Sequence, residues 1–316
     1  MEIVKNMNKH FIGILFALCT GISWGVVSPL GRALALRGVD MATVIVLRAF
    51  LVTICCGTYL AWCDRASLKK TVQEQGLLFI YGILSVVCTY TGFLYSLKYL
   101  TVSAALIIHY TFPLVTLIGG IFITRERPTF AQIVSAFLIL LGVWVGMFFG
   151  KGGAQNIALP GILWGLVAVM GLAGQSLLGR KIAKEGRITQ GSLIFYSHLW
   201  GGLCMVLAKH LSAGWHDIAL LSRSDWGSIF LLTAIGSLLA YAAYYTALKY
   251  ISATAASLVC TVEIVTGISL AALLSKEMPT TNEIWGSAII ILAIFLAALP
   301  PDLFQRRPRH SMRDNA

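Results

Sequence analysis

The sequence predicts an all-α integral membrane protein, ten transmembrane helices arranged as two five-helix repeats of inverted topology. Three observations carry that expectation. Of 316 residues, 58% are hydrophobic and only 12% charged, and the mean hydropathy is +0.81, more apolar surface than a water-soluble core needs. The apolar residues fall in runs of about 20, the length that crosses a bilayer as helix. In hydrocarbon each backbone polar group must be paired within its own segment, so the runs are helices and not open sheet. The chain also repeats itself. Leu97-Lys98-Tyr99-Leu100-Thr101-Val102-Ser103-Ala104-Ala105 returns as Leu248-Lys249-Tyr250-Ile251-Ser252-Ala253-Thr254-Ala255-Ala256. At the same offset Tyr90 falls on Tyr241, and Thr124-Arg125-Glu126-Arg127-Pro128-Thr129 falls on Ser275-Lys276-Glu277-Met278-Pro279-Thr280.

The predicted spans of the first half are Phe11 to Leu30, Met41 to Trp62, Leu77 to Leu97, Val102 to Thr124 and Phe130 to Phe149. Those of the second are Pro160 to Leu178, Gly191 to Ala208, Trp226 to Leu248, Ala253 to Ser275 and Glu283 to Leu299. Residues 1–10 form a cytoplasmic N-terminus, 11–149 the first repeat, 150–159 a Gly-rich connector, 160–299 the second repeat, and 300–316 a basic cytoplasmic tail. Lys5 and Lys9 precede an apolar run too long for a signal-peptide core, so that run reads as the first span. Lys and Arg concentrate in the segments that are cytoplasmic if the N-terminus is inside, among them Arg65, Lys69, Lys70, Arg180, Lys181, Lys184 and Arg187. Both termini are therefore placed inside. Topology and anionic lipid account for the net charge of +11, with no nucleic-acid partner required.

Span one echoes span six through Gly13-Ile14-Leu15 and Gly161-Ile162-Leu163, and again through Ser28, Gly31-Arg32 and Ser176, Gly179-Arg180. Five spans per copy is odd, so the second copy enters from the opposite side. Halves related in this way are the basis of alternating access around a central site.

Several residues together resemble the drug/metabolite transporter superfamily, in its ten-helix form with two EamA-type halves. They are Ser23-Trp24-Gly25, Arg48, Tyr95 with Lys98-Tyr99, Thr111-Phe112-Pro113-Leu114, and the Glu126 and Glu277 termini with their Pro-Thr sequels. The resemblance covers Phe11 to Leu299. It implies movement of small organic metabolites, often amino acids, through the bacterial cytoplasmic membrane. One departure is Ile264, which stands where Pro113 would repeat.

Ionisable and polar groups at mid-span are costly and mark candidate sites. Glu263, near the middle of span nine, reads as a proton-coupling carboxylate or as a structural hydrogen-bonding group, with Arg48 among its possible partners. Arg48 can hold a substrate carboxylate through its forked donors, or pair with a carbonyl, or snorkel to the interface. His198 sits one residue beyond the position matching Arg48 in the second half. His109 and Tyr110 precede the Pro113 break, where a freed carbonyl and an imidazole give local polarity; the alternative is a packing kink with His109 satisfied by that carbonyl. Trp24, Tyr90 and Tyr241 wall an aromatic cavity in one reading and pack or sit at the interface in the other. Glu126 and Glu277 suggest gating or interface pairs. Gly142, Gly146 and Gly150 form a small-residue ridge for close packing within the bundle or, less favoured, for a weak homodimer.

Gly21-Ile22-Ser23-Trp24-Gly25 matches the hydrolase nucleophile pattern literally, but it lies in a transmembrane helix, and every Asp falls in a loop or tail. No nucleotide-binding or metalloprotease pattern occurs. The seven cysteines lack zinc spacing and read as small apolar packers. No enzyme, metal or cofactor is therefore expected. The expected activity is secondary transport of an amino acid or similar zwitterion, in the export direction and coupled to protons at Glu263. Cationic drug-like compounds or phosphorylated metabolites are the alternative cargo, and a polytopic enzyme or sensor is the remote one.

Overall fold

The computed structural model describes residues 2–100, 102–148, 158–275 and 281–298, all but short links of it helical. The first half holds α1 (Glu2–Gly25), α2 (Val27–Leu36), α3 (Met41–Cys63), α4 (Val72–Gly82), α5 (Thr91–Tyr99), α6 (Val102–His109), α7 (Phe112–Gly119) and α8 (Phe130–Phe148). The second holds α9 (Leu159–Glu185), α10 (Gln190–Ser212), α11 (Arg223–Thr233), α12 (Ala240–Tyr250), α13 (Ala253–Cys260), α14 (Val262–Ser275) and α15 (Thr281–Ala298). Among the described residues, seven helical stretches are long and apolar enough to cross a membrane, and Phe112–Thr124, Phe130–Gly146 and Ile284–Ala297 are shorter apolar helices.

The helix starts follow from local chemistry. Thr71 and Glu74 form a capping box at α4, and Ser222 and Asp225 form its counterpart at α11. Each hydroxyl satisfies a backbone N–H that the first helical turn leaves unpaired. The side chains of Asp40, Thr189 and Ser252 cap α3, α10 and α13 in the same way. Gly186, at φ +67°, closes α9 in a left-handed turn that a side chain would strain.

The sequence suggested one interruption, at Pro113; two features change that picture. First, π-helical segments separate α4 from α5 at Ile83–Tyr90, and α11 from α12 at Ala234–Leu239. Second, the spans containing His109 and Glu263 are each broken in the middle, at Tyr110–Thr111 and at Thr261. Pro113 sits in the first turn of α7, where its missing N–H costs nothing. It is not needed to break the helix, because the second half breaks at the corresponding place with Ile264 instead. What the breaks share is a threonine that folds back on the preceding turn: Thr111 Oγ1 donates to the Ile108 carbonyl at 2.8 Å, and Thr261 Oγ1 to that of Leu258 at 2.6 Å.

Packing pairs α3 with α10 and α8 with α15. Helix α1 lies against α12, α13 and α14, while α9 lies against α5, α6 and α7. Swapping the halves leaves this pattern unchanged. The Gly142–Gly146 ridge is used inside the bundle: a Cβ on Gly286 of α15 would lie 2.4 Å from the Gly142 carbonyl and 2.9 Å from the Gly146 Cα. Gly150 and Glu277 lie outside the described residues. Large apolar side chains face outward, including Phe50, Trp62, Phe137, Leu211, Phe230 and Trp285. On a soluble protein so much exposed apolar surface would drive aggregation; here it is the surface that lipid covers.

Candidate functional site

A cavity of about 400 Å³ lies where the helix interruptions converge. Trp24 comes from the end of α1, just before its junction with α2. Arg48 comes from α3, Thr89 and Tyr90 from the first π segment, Gly236 from the second, and Tyr241 from the start of α12. His109 ends α6 and Glu263 opens α14, so both stand beside the mid-span breaks. Val27, Phe93, Leu94 and Leu172 complete the lining. π segments and broken helices release backbone groups from regular pairing, and they cluster at functional positions.

Arg48 is 2% exposed. Its Nη2 donates to Ser237 Oγ at 3.0 Å, and its guanidinium carbon lies 4.2 Å from the centre of the Tyr90 ring. Its Nε has no hydrogen-bond partner, and no carboxylate pairs with it among the described residues. Neither snorkelling nor internal neutralisation therefore explains this cation. A buried charge is expensive unless something answers it; the stacking and the single hydrogen bond supply part of that answer.

Behind Arg48 stands a polar group in which Tyr90 and His198 were expected and Ser237 was not. Tyr90 Oη lies 2.9 Å from Ser237 Oγ and 3.0 Å from His198 Nε2. His198 Nδ1 lies 2.8 Å from the Ile194 carbonyl. A carbonyl only accepts, so Nδ1 carries the proton, and in the neutral imidazole Nε2 accepts from Tyr90. Ser237 aligns with Val86 of the first half, one of the places where the two copies diverge; a serine midway along an apolar span was the available signal. His198 is fully buried and does not line the cavity.

Glu263 is 3% exposed and lines the cavity without an ion pair among the described residues. The Tyr110 hydroxyl faces its carboxyl but makes no hydrogen bond of ordinary geometry. His109 packs among Phe93, Tyr110 and Phe112 at ring separations of 4.8–6.0 Å, and its Nδ1 has no partner. The freed carbonyl therefore does not satisfy the imidazole. Trp24 meets Tyr241 edge-on at 5.9 Å, and Tyr90 lies 6.0 Å from Tyr241. Of the residues singled out from sequence, Trp24, Arg48, Tyr90, His109, Tyr241 and Glu263 come together in the cavity wall. Tyr110 and His198 lie behind it, and Pro113 beyond the break.

Glu126 is elsewhere, at a helix end. Its Oε1 accepts from Arg180 Nη2 at 2.8 Å and Nε at 3.0 Å, and from Lys184 Nζ at 2.9 Å. Burial pushes this carboxyl up, and the two cations outweigh it, holding it below the ordinary carboxylate range. Arg180 also donates to the Leu248 carbonyl. Its counterpart Arg32 donates to the Leu97 carbonyl at 2.8 Å, the position that Leu248 repeats. At the end of α3 nearer Met41, Lys209 bridges Asp40 at 2.7 Å and Asp217 at 3.1 Å. Among the described residues no cluster of His, Cys, Asp or Glu is placed to hold a metal ion.

The EamA-like transporter family model matches residues 11–148 and 159–299, one match per half. A protein named "Uncharacterized inner membrane transporter YhbE" from Escherichia coli is 27% identical over 165 residues, so the chain matches about half of that relative's length (50%) with 51% of its own. The "Uncharacterized transporter YyaM" of Bacillus subtilis is 22% identical across 93% of this chain and 95% of its own. An "S-adenosylmethionine uptake transporter" of Rickettsia bellii is 26% identical across 69% of each chain. A solved crystal structure superposes with a TM-score of 0.64 over 93% of this chain and 96% of its own, at 17% identity, a likeness of fold alone. With one family match to each half, the chain belongs to the EamA-like transporter family.

Proposed function

We propose that this transporter is a secondary carrier that exports an amino acid or similar zwitterion across the cytoplasmic membrane by alternating access, coupled to protons at Glu263. One observation carries the reading. Arg48 and Glu263 line the same aromatic cavity, and neither neutralises the other. A zwitterion answers both charges at once, its carboxylate toward the Arg48 fork and its ammonium toward Glu263. When the carboxyl takes up a proton, it releases the ammonium, which couples substrate and proton. The shared positions of the capping boxes, π segments and mid-span breaks support reading the halves as an inverted five-helix repeat with both termini cytoplasmic. The S-adenosylmethionine relatives support a metabolite cargo with an amino-acid head. Phosphorylated cargo is less favoured, because among the described residues Arg48 is the one Lys or Arg in the cavity wall. Cationic cargo keeps some support from the aromatic walls and Glu263.

The test is counterflow in proteoliposomes across a panel of amino acids, S-adenosylmethionine and lipophilic cations, with and without an imposed pH gradient. Zwitterion exchange that Arg48→Gln abolishes supports the reading. Exchange of cations alone, unaffected by Arg48→Gln, overturns it. In Glu263→Gln, exchange is expected to persist while net proton-driven flux disappears; unchanged proton coupling would remove Glu263 from its role. Net flux from vesicles of known orientation decides between export and uptake.

A further inference from the structure

Within two helical turns of the cavity stand four buried polar side chains that make no hydrogen bond of ordinary geometry among the described residues, the Tyr81 and Tyr245 hydroxyls facing each other. They are Tyr81 of α4, Ser85 of the first π segment, Gln175 of α9 and Tyr245 of α12. Three are fully inaccessible and Tyr245 is 3% exposed. For Gln175 both the amide nitrogen and the amide oxygen are unpartnered. Buried polar groups in folded proteins are nearly always paired, so a cluster like this needs an explanation.

The positions explain where the cluster leads. Ser85 is one turn before Thr89, Tyr245 one turn after Tyr241, and Gln175 one turn after Leu172; Thr89, Tyr241 and Leu172 all line the central cavity. The neighbours of Gln175 on the same face of α9 fix its direction. A Cβ on Gly171 would meet the Leu84 carbonyl at 2.7 Å, and one on Gly179 would meet Tyr81 Oη at 3.1 Å. Gln175 therefore faces the strip of α4 and π helix that carries Tyr81 and Ser85. Tyr81 and Tyr245 meet edge-on at 5.9 Å across it. One turn further, Leu77 and Ile182 line an open hollow of about 1080 Å³ with Glu74, Lys181, Glu185 and Arg187.

We infer that Tyr81, Ser85, Gln175 and Tyr245 line the closed half of the translocation path, linking the substrate cavity to the hollow between α4 and the end of α9. The unpaired Ser85 hydroxyl and Gln175 amide, joined by the Tyr81 and Tyr245 hydroxyls when that pair parts, are the partners that water and the polar groups of the substrate meet on the way through. The Tyr81–Tyr245 pair is the constriction. This rests on the transport reading of the central cavity, and it adds which face of the bundle opens and which residues the cargo passes.

The test uses thiol labelling, which needs no substrate. Ser85→Cys, and Gln175→Cys as a second variant, are treated in membrane vesicles of each orientation with a membrane-impermeant methanethiosulfonate. Lys181→Cys, exposed at the hollow, marks the side, and wild type gives the background of the native cysteines. The buried cysteines are expected to react only in the orientation that labels Lys181→Cys. Their rate should be about 10- to 1000-fold slower, as befits an open state populated at about 0.1–10%. Labelling that is absent for both variants, or that occurs from the opposite face, overturns the path. Arg48→Gln should leave the labelling intact even where transport is lost, so the path and the substrate reading fail separately. Gln175→Leu supplies the functional arm: transport is expected to fall with thermal stability unchanged or raised, since an unpaired amide is removed. Wild-type transport in Gln175→Leu would make the cluster merely structural.

Discussion

Arg48 is held and left open at the same time, and that defines its chemistry. Ser237 fixes one end of the guanidinium, Tyr90 covers a face, and Nε stays unused. Ser237→Ala should therefore loosen Arg48 without removing its charge. A hydrogen bond of this kind contributes about 1 kcal/mol, so the apparent KM for an anionic-headed substrate is expected to rise about fivefold, with the maximal rate kept. Ser237→Thr, which retains the hydroxyl, should restore it. Counterflow kinetics check both variants; a lost maximal rate with unchanged KM would detach Ser237 from substrate binding. Mid-span charge made Arg48 and Glu263 legible in the sequence, because an ionisable group in hydrocarbon is conspicuous wherever it sits. Ser237 was not legible. A serine is common in membrane helices, and its importance comes from a neighbour 189 positions away.

At the scale of the element, the helices are tied at their ends by ion pairs that respond to pH. Glu126 gathers Arg180 and Lys184, and its carboxyl lies below the usual range after burial is outweighed by the two cations. Asp217 lies low as well: burial raises it, but Thr43 and Lys209 lower it further. A carboxyl lowered in the folded state contributes stability that is complete above its unfolded value, about 4, and is lost as pH falls through the folded value. Thermal stability in detergent should therefore be flat from neutral pH to about 5 and fall below about 4. Glu126→Gln should flatten part of that acid limb and, by leaving Arg180 with one partner fewer, cost about 1–3 kcal/mol at neutral pH. An acid limb identical in Glu126→Gln would show that other carboxyls cause it. The α8–α15 contact makes a sharper claim. Gly286→Leu places a side chain where the backbone of α8 stands, so a loss of about 1–3 kcal/mol or more is expected, read as a lowered melting temperature; Leu at the exposed neighbour Trp285 should be near neutral. The apolar runs announced these helices, and of their interruptions Pro113 pointed only to the one in the first half. The Thr111 and Thr261 breaks go with a hydroxyl folded back on the preceding turn, and the π segments with a local change of hydrogen-bond register, neither of which hydropathy records.

For the whole molecule, the internal repeat was the most legible feature, and the structure extends it to details no alignment of two short motifs could give. The capping boxes at Thr71 and Ser222 stand at one offset from each other, and so do the starts of the π segments at Ile83 and Ala234. The halves differ where chemistry is concentrated: Pro113 against Ile264, Val86 against Ser237, His109 against Cys260. Under the proposed alternating access, similar scaffolds with unlike linings would let one site face two sides in turn, provided each side has its own closure. The paired arginines suit that task, since Arg180 holds the Leu248 carbonyl in one half and Arg32 the Leu97 carbonyl in the other. Each ties the broken span's neighbour to the end of the first span of its half, Arg32 from α2 and Arg180 from α9. If they close opposite faces, Arg180→Gln and Arg32→Gln should shift the conformational balance in opposite directions. A reporter cysteine in the cavity wall, Val27→Cys, would read this. With Arg180→Gln its labelling should rise in the vesicle orientation that exposes Lys181, and with Arg32→Gln in the other. Losing one such tie, about 1.5 kcal/mol, corresponds to roughly a tenfold change in population. Equal changes from both sides in both variants would mean that the arginines hold the bundle together without choosing which way it opens.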